Sequence, residues 1–222
     1  MSARDTVFAS IRRSLGVTGR EAPRRLAAEA RLAQAPRGVV PARGQVDREA
    51  RIALMRDRAE AAHATVAVLD TMEAVPIEVT RFLRDSNAPA TIRMGDDPDL
   101  AGLPWADTAL TVASGRSHGD DLNAVSRAFA AVAESGTLAL VSGTANPTTL
   151  NFLPDTHVVV VKADDLAGDT ETVFDRLRER YGPTAMPRTL NFITGPSRSG
   201  DIEQTLVLGA HGPRRLHIVI VR

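Results

Sequence analysis

The sequence contains no cysteine. That excludes disulfides, catalytic thiols, and zinc or iron–sulfur centres held by thiolates of this chain. Nothing in it points to an oxidising compartment. Lysine occurs once, at Lys162, so any Schiff-base chemistry would have to run through that side chain. Aromatic residues make up only 4% of the 222, so the core must be built from Ala, Val, Leu and Ile. No apolar run approaches the ~20 residues needed to span a bilayer. The opening "MSARDTVFASIRRSLG" is amphipathic and lacks the apolar centre of a secretory signal. The expectation is a cytoplasmic protein with no transmembrane segment. Net charge is zero, which argues against nucleic acid as the main partner.

The charge that is present is unevenly placed. Residues 1–45 carry nine Arg against Asp5, Glu21 and Glu29, a balance of +6. A basic arm of this kind suits docking to an acidic partner, nucleic acid or a membrane surface, or, more plainly, a solvated or self-docking arm. Within it, Val7, Phe8, Ile11 and Leu15 recur at helical spacing, with Ser2 as cap and Gly16 as stop. Residues 16–45 read as a linker containing a short helix at 26–34. A further helix is expected over 46–63. From residue 65 strand-like and helix-like runs alternate, which is an α/β signature. "TVAVLD", "ATIRM", "DTALTVAS", "HVVVVKA", "TLNFIT" and "RLHIVIV" are the strands. "PIEVTRFLRDS" and "TETVFDRLRERYG" are the helices. Two apolar runs, "SRAFAAVA" and "TLALVS", are joined only by Glu134-Ser135-Gly136, so short a link that a hairpin or sharp bend is expected. The predicted fold is α/β, a largely parallel sheet flanked by helices with one antiparallel excursion near Glu134. The predicted division is an arm over 1–45 and an α/β domain over 46–222.

Three stretches carry chemistry. "GPSRSGDIEQTLVLGAHGP" (195–213) follows the strand ending at Thr194. Its "DIEQTLVLGA" portion reads as a short helix, with Asp201 and Glu203 in the first turn. A strand, a glycine-containing loop and a helix N-terminus together form an anion site, beyond the carboxyl end of a strand. Gly195, Pro196, Ser197, Arg198 and Ser199 would line it, with the Arg198 guanidinium clamping a carboxylate or phosphate. His211, between Gly209 and Gly212, adds a side chain tunable near neutral pH. In "AESGTLAL" (133–140), Glu134 is costly to bury without a partner or a role. At a strand end it suits a general base or nucleophile, with Ser135, Gly136 and Thr137 beside it; a hairpin Glu facing water is the plain alternative. The third stretch, "TANPTTLNFLPD", puts Asn146 to Thr149 on a loop able to close over such a site. No histidine has partners at metal-ligand spacing, so no metal is expected.

Together, "AESGTLAL", "NFLPDTHVVVV" and "ITGPSRSGDIEQTLVLGAHGPRRLHIVIV" resemble the lactate-utilisation (LUD) domain family, over roughly residues 46–222. The Gly-Pro-Ser-Arg run followed by Gly-Ala-His-Gly-Pro is the specific part. Ser199-Gly200 stands where the family often has Thr-Ala. The resemblance implies a fold similar to the NagB/RpiA/CoA-transferase superfamily. It also implies a role in oxidising L-lactate to pyruvate, beside partner subunits that carry iron–sulfur clusters, with no cofactor held by this chain. It assigns no catalytic residue. Glu134-Ser135-Gly136 is similar to the Ser-Glu-Asn-Gly nucleophile motif of CoA-transferases, but lacks the Asn. Three readings result. The first is a non-redox subunit binding a small anion, with Glu134 and His211 lining one site. The second is an acyl-transferring or sugar-phosphate isomerising enzyme that uses Glu134. The third is a non-catalytic interaction module.

Overall fold

The computed structural model describes residues 2–202 and 205–222, with backbone alone at 200–202 and 205–207. The chain divides into two compact units, Met1–Val39 and Val40–Arg222.

The first unit holds two helices, α1 (Ala3–Leu15) and α2 (Ala22–Gln34). Ser2 and Asp5 form a reciprocal capping box at the start of α1, and Gly16 ends it in a left-handed conformation. The carboxylate of Glu21 accepts the Thr18 and Gly19 amides at 2.6 and 3.0 Å, which holds its pKa down at about 2. The helix expected at 26–34 thus begins earlier, at Ala22, with a proline in its first turn.

The second unit opens with α3 (Arg48–Ala61), capped by Asp47. Then come β1 (Thr65–Leu69), α4 (Val75–Asp85), β2 (Thr91–Met94), the single turn α5 (Pro98–Ala101), β3 (Thr111–Ser114) and β4 (Asn123–Arg127). The remainder is β5 (Ala130–Val132), β6 (Thr137–Val141), β7 (Thr156–Lys162), β8 (Leu166–Ala167), α6 (Thr170–Tyr181), β9 (Leu190–Thr194), β10 (Arg198–Ile202), β11 (Thr205–Leu208) and β12 (Arg215–Val221). Six strands form an all-parallel sheet in the order β1-β12-β7-β4-β2-β3. "HVVVVKA" and "RLHIVIV" are adjacent interior strands, buried on both faces, as their unbroken apolar runs require.

Alternate residues of those strands serve different layers. Val159, Val161, Ile218 and Ile220 pack with Ile52 and Met55 of α3 and with Leu138 and Leu140 of β6. Val158, Val160 and Val219 pack on the other face with Val79, Phe82 and Leu83 of α4 and with Trp105. The six-stranded sheet is therefore the middle layer between two apolar cores.

Two expectations are corrected. "SRAFAAVA" is not one strand. It leaves the parallel sheet at Arg127 and resumes as β5 in a second sheet, ordered β8-β5-β6-β9. The β5–β6 hairpin at Glu134 is antiparallel as expected, and so is the β6–β9 pair. "TLNFIT" accordingly belongs to this smaller sheet. Second, "DIEQTLVLGA" forms no helix in its described residues. Arg198–Ile202 and Thr205–Leu208 pair as an antiparallel ribbon with an irregularity between Ser199 and Ile202. The short Thr-Leu-Val-Leu run suits a pleated partner strand as well as a helical face, and pairing decides between them. Glu203 lies outside the described residues, and Asp201 is described only in its backbone. Among the described residues, no helix is long and apolar enough to cross a membrane.

Candidate functional site

Gly195 and Gly136 place the chemistry-bearing segments. Gly195 ends β9 with a φ of 71°, and a Cβ there would run into the Ala62 carbonyl oxygen at the end of α3. Gly136, with a φ of 68°, sits at the β5–β6 turn, and a Cβ there would lie 2.6 Å from the Ala59 amide nitrogen. Both turns rest directly on the last turn of α3, which no larger residue permits.

Beyond Gly195 the chain and the 211–213 segment surround a cavity of about 280 Å3. Ser197 clasps the two segments together. Its amide donates to the Pro213 carbonyl at 2.8 Å, its carbonyl accepts the Gly209 amide at 3.0 Å, and its hydroxyl accepts the His211 amide at 3.1 Å. These bonds engage the amides of Ser197, Gly209 and His211, and among the described residues no helix N-terminus is formed here to offer amides to an anion. What remains for charge is Arg198, exposed on the rim and without an ion pair among the described residues. His211 is also exposed on the rim.

The floor was not foreseen. Asn151, 1% exposed, ends a short 3-10 turn and lines the cavity; its side-chain amide nitrogen and oxygen both lack a partner among the described residues. His157, the second residue of β7, also lines it and is fully buried. Its Nε2 lies 3.0 Å from the Ser126 hydroxyl, and its Nδ1 has no partner among the described residues. Burial drives the His157 pKa down to about 3, so the ring is neutral at neutral pH. Phe152, Phe192 and Leu216 supply apolar wall. A mostly apolar hollow with a few convergent polar groups is the usual form of a small-molecule site. Unpartnered buried polar atoms on its floor call for a ligand or water. The only signal available beforehand was an Asn and a His set in the apolar stretch "NFLPDTHVVVV".

The cavity also lies at an unexpected end of the sheet. His157 and Leu216 begin β7 and β12, so the site is at the amino ends of the parallel strands. β9, which belongs to the smaller sheet, finishes there.

Of the predicted residues, Gly195, Pro196, Ser197, Arg198, His211 and Gly212 gather around the cavity. Ser199 is half-buried on β10 and is not part of its lining. Glu134, Ser135, Gly136 and Thr137 do not line it either, so Glu134 and His211 are not brought to one wall. Glu134 is 8% exposed, and its Oε2 lies 3.3 Å from the Nε of Arg43 without forming a hydrogen bond. A chain of hydroxyls is the link between the two regions: Ser135 to Thr137 and Thr137 to Thr194, each at 2.7 Å, with Thr194 at the cavity edge. The loop at Asn146 does not close over this cavity; it lines a separate cleft at the other end of the sheet. Among the described residues, no cluster of His, Cys, Asp or Glu is suited to a metal.

Fold and site together define an α/β protein with a ligand-sized cavity pinned by a Ser-centred clasp. Residues 123–221, which contain every lining residue of that cavity, match the LUD domain family. It is similar to lactate utilization protein C of Geobacillus sp. (strain WCH70), 36% identical over 91 residues, or 40% of this chain and 38% of that protein. The protein of the same description from Bacillus subtilis (strain 168) is 34% identical over 91 residues, with the same coverage. The aligned segment thus spans about two fifths of the length of these relatives. A DUF162 family protein from Deinococcus radiodurans shares the fold, with a TM-score of 0.57 and 24% identity over 80% of this chain and 99% of that one.

Proposed function

We propose that this chain is the redox-inactive component of a system that oxidises L-lactate to pyruvate, and that it binds a small organic carboxylate in the amino-end cavity. The observation that carries the ligand half is the meeting, in one hollow, of the Arg198 guanidinium and the Asn151 amide, both without a partner among the described residues, with neutral His157. Arg198 would take the carboxylate. Asn151 and His157 would satisfy a neighbouring hydroxyl or carbonyl, and His157 can accept or donate according to its tautomer. The lactate half rests on the similarity to lactate utilization protein C. Lacking cysteine, the chain would leave electron transfer to iron–sulfur partners. The basic arm over 1–45 would dock them, all in the cytoplasm, with the domain over 46–222 holding the ligand. We read the fold as related to the NagB/RpiA/CoA-transferase superfamily. A covalent role for Glu134 draws no support from its position beside Arg43.

Calorimetry with L-lactate and pyruvate tests the ligand half. Binding to the intact chain, weakened about tenfold by Arg198→Gln, is expected. No heat with either compound would remove it. Deletion of the gene should abolish growth on lactate.

A further inference from the structure

The parallel sheet has a second opening at its opposite end. A cleft of about 260 Å3 lies where β4 finishes at Arg127 and where the chain leaves β2. Ligands of open α/β sheets bind beyond the carboxyl ends of the strands, which is this edge.

Its charges do not cancel. Asp97 is buried, caps α5 and accepts the Nε of Arg127 at 3.0 and 3.2 Å. Asp99 lies 3.7 Å from the same Nε and is also paired with Lys162 at 2.7 Å, and the terminal nitrogens of Arg127 make no hydrogen bond among the described residues. Arg180, near the end of α6, is exposed and makes no ion pair among the described residues. Its guanidinium lies 5.5 Å from the ring centres of both Phe129 and Tyr181, which orient it. The lining therefore leaves Arg180 as its guanidinium without a counter-charge among the described residues.

The cleft also contains an acceptor with nothing to accept. Asn146 is 5% exposed. Its Nδ2 donates to the Val141 carbonyl at 3.4 Å, which sets the orientation of the amide, and its Oδ1 is buried without a partner among the described residues. The loop that holds it is firmly seated. The Asp96 amide donates to Thr144 at 2.9 Å and the Gly143 amide to the Asn146 carbonyl at 3.2 Å, while Gly95 packs against the Ala145 carbonyl too closely for any side chain.

We infer that this cleft is a second binding site, for a small organic anion that carries a hydroxyl group. The anionic group pairs with Arg180 and the free nitrogens of Arg127, and the hydroxyl donates to Asn146 Oδ1. Phosphate and carboxylate both meet this description, so both are tested. Nothing here depends on the amino-end cavity.

Calorimetric titration of the full chain with glycerol 3-phosphate and with glycerate provides the test. Binding of at least one is expected, and which one binds identifies the anionic group. Arg180→Gln, an exposed change that should leave the thermal midpoint in place, is expected to weaken the bound probe tenfold or more. Asn146→Asp should abolish binding, and n-propyl phosphate, which lacks the hydroxyls, should bind at least tenfold more weakly than glycerol 3-phosphate. Arg198→Gln should change nothing. Failure of both probes to bind, or wild-type affinity in Arg180→Gln, overturns the site. Equal affinity for n-propyl phosphate overturns the role of Asn146.

Discussion

The two ends of the six-stranded sheet hold hollows of similar size, about 280 and 260 Å3, and treat polarity in opposite ways. At the amino end the buried polar groups are neutral. His157 is stripped of its proton by burial, and the nearest charge, Arg198, stays on the rim. At the carboxyl end Asp97 is itself buried, yet it is satisfied by Arg127 and by the first amides of α5. A buried charge persists only where a partner and hydrogen bonds offset its desolvation. Where no counter-charge is available the group gives up its ionisation instead. Both ends offer an exposed arginine at the mouth; they differ in that the polar groups buried at the amino end are neutral, whereas the carboxyl end also buries a paired charge.

The largest effect expected from breaking this contrast comes from Gly195→Val. It combines a positive φ with a clash against α3, and should cost about 3 kcal/mol or more in urea denaturation. A loss under 1 kcal/mol would mean that the loop does not rest on α3 as described.

Next is the pH dependence of stability. The folded pKa of His157 is lowered to about 3 from an ordinary 6.5, so below pH 6.5 the unfolded chain binds a proton that the folded chain refuses. Stability should fall as pH drops through that window, by about 1.4 kcal/mol per pH unit for this one group. His217, lowered by burial despite the opposing pull of Glu78, acts in the same direction. Denaturation midpoints from pH 6.5 to 4 should therefore decline more steeply in the wild type than in His157→Gln. Parallel profiles would place the proton elsewhere.

The paired arginine changes should separate the two hollows. Arg198→Gln is expected to weaken carboxylate binding about tenfold at the amino end and leave the carboxyl-end probes alone, with Arg180→Gln doing the reverse. Both variants weakening the same ligand would merge the sites. The smallest effect is Asn151→Leu. Replacing an unsatisfied buried amide by a side chain of similar shape should raise stability by about 1 kcal/mol while removing binding at the amino end. A destabilised variant would mean that bound water already satisfies the amide.

Much of the architecture was legible residue by residue. The valine runs of β7 and β12, the proline in the first turn of α4 and the Ser2 and Gly16 limits of α1 all follow from local pattern. The β5–β6 hairpin was legible from the shortness of its link. The ribbon at 198–208 was not, because four apolar residues satisfy either period and only cross-strand pairing chooses. Of the amino-end site, the Gly195–Arg198 and His211–Gly212 segments were read from their composition. Asn151 and His157 escaped because their chemistry comes from burial, which the neighbouring letters do not record.

Cysteine-free chemistry, the α/β alternation and the positions of the punctuating glycines are properties of short stretches, so the chain carries them whatever its partners in space. Which end of the sheet each motif reaches is another matter. β7 and β12 lie side by side although their first residues, Thr156 and Arg215, are far apart in the chain, and the smaller sheet turns β9 to run toward their amino ends. That placement arises from long-range pairing and packing, because only the assembled layers remove water from Asn151 and His157 and leave the arginines outside.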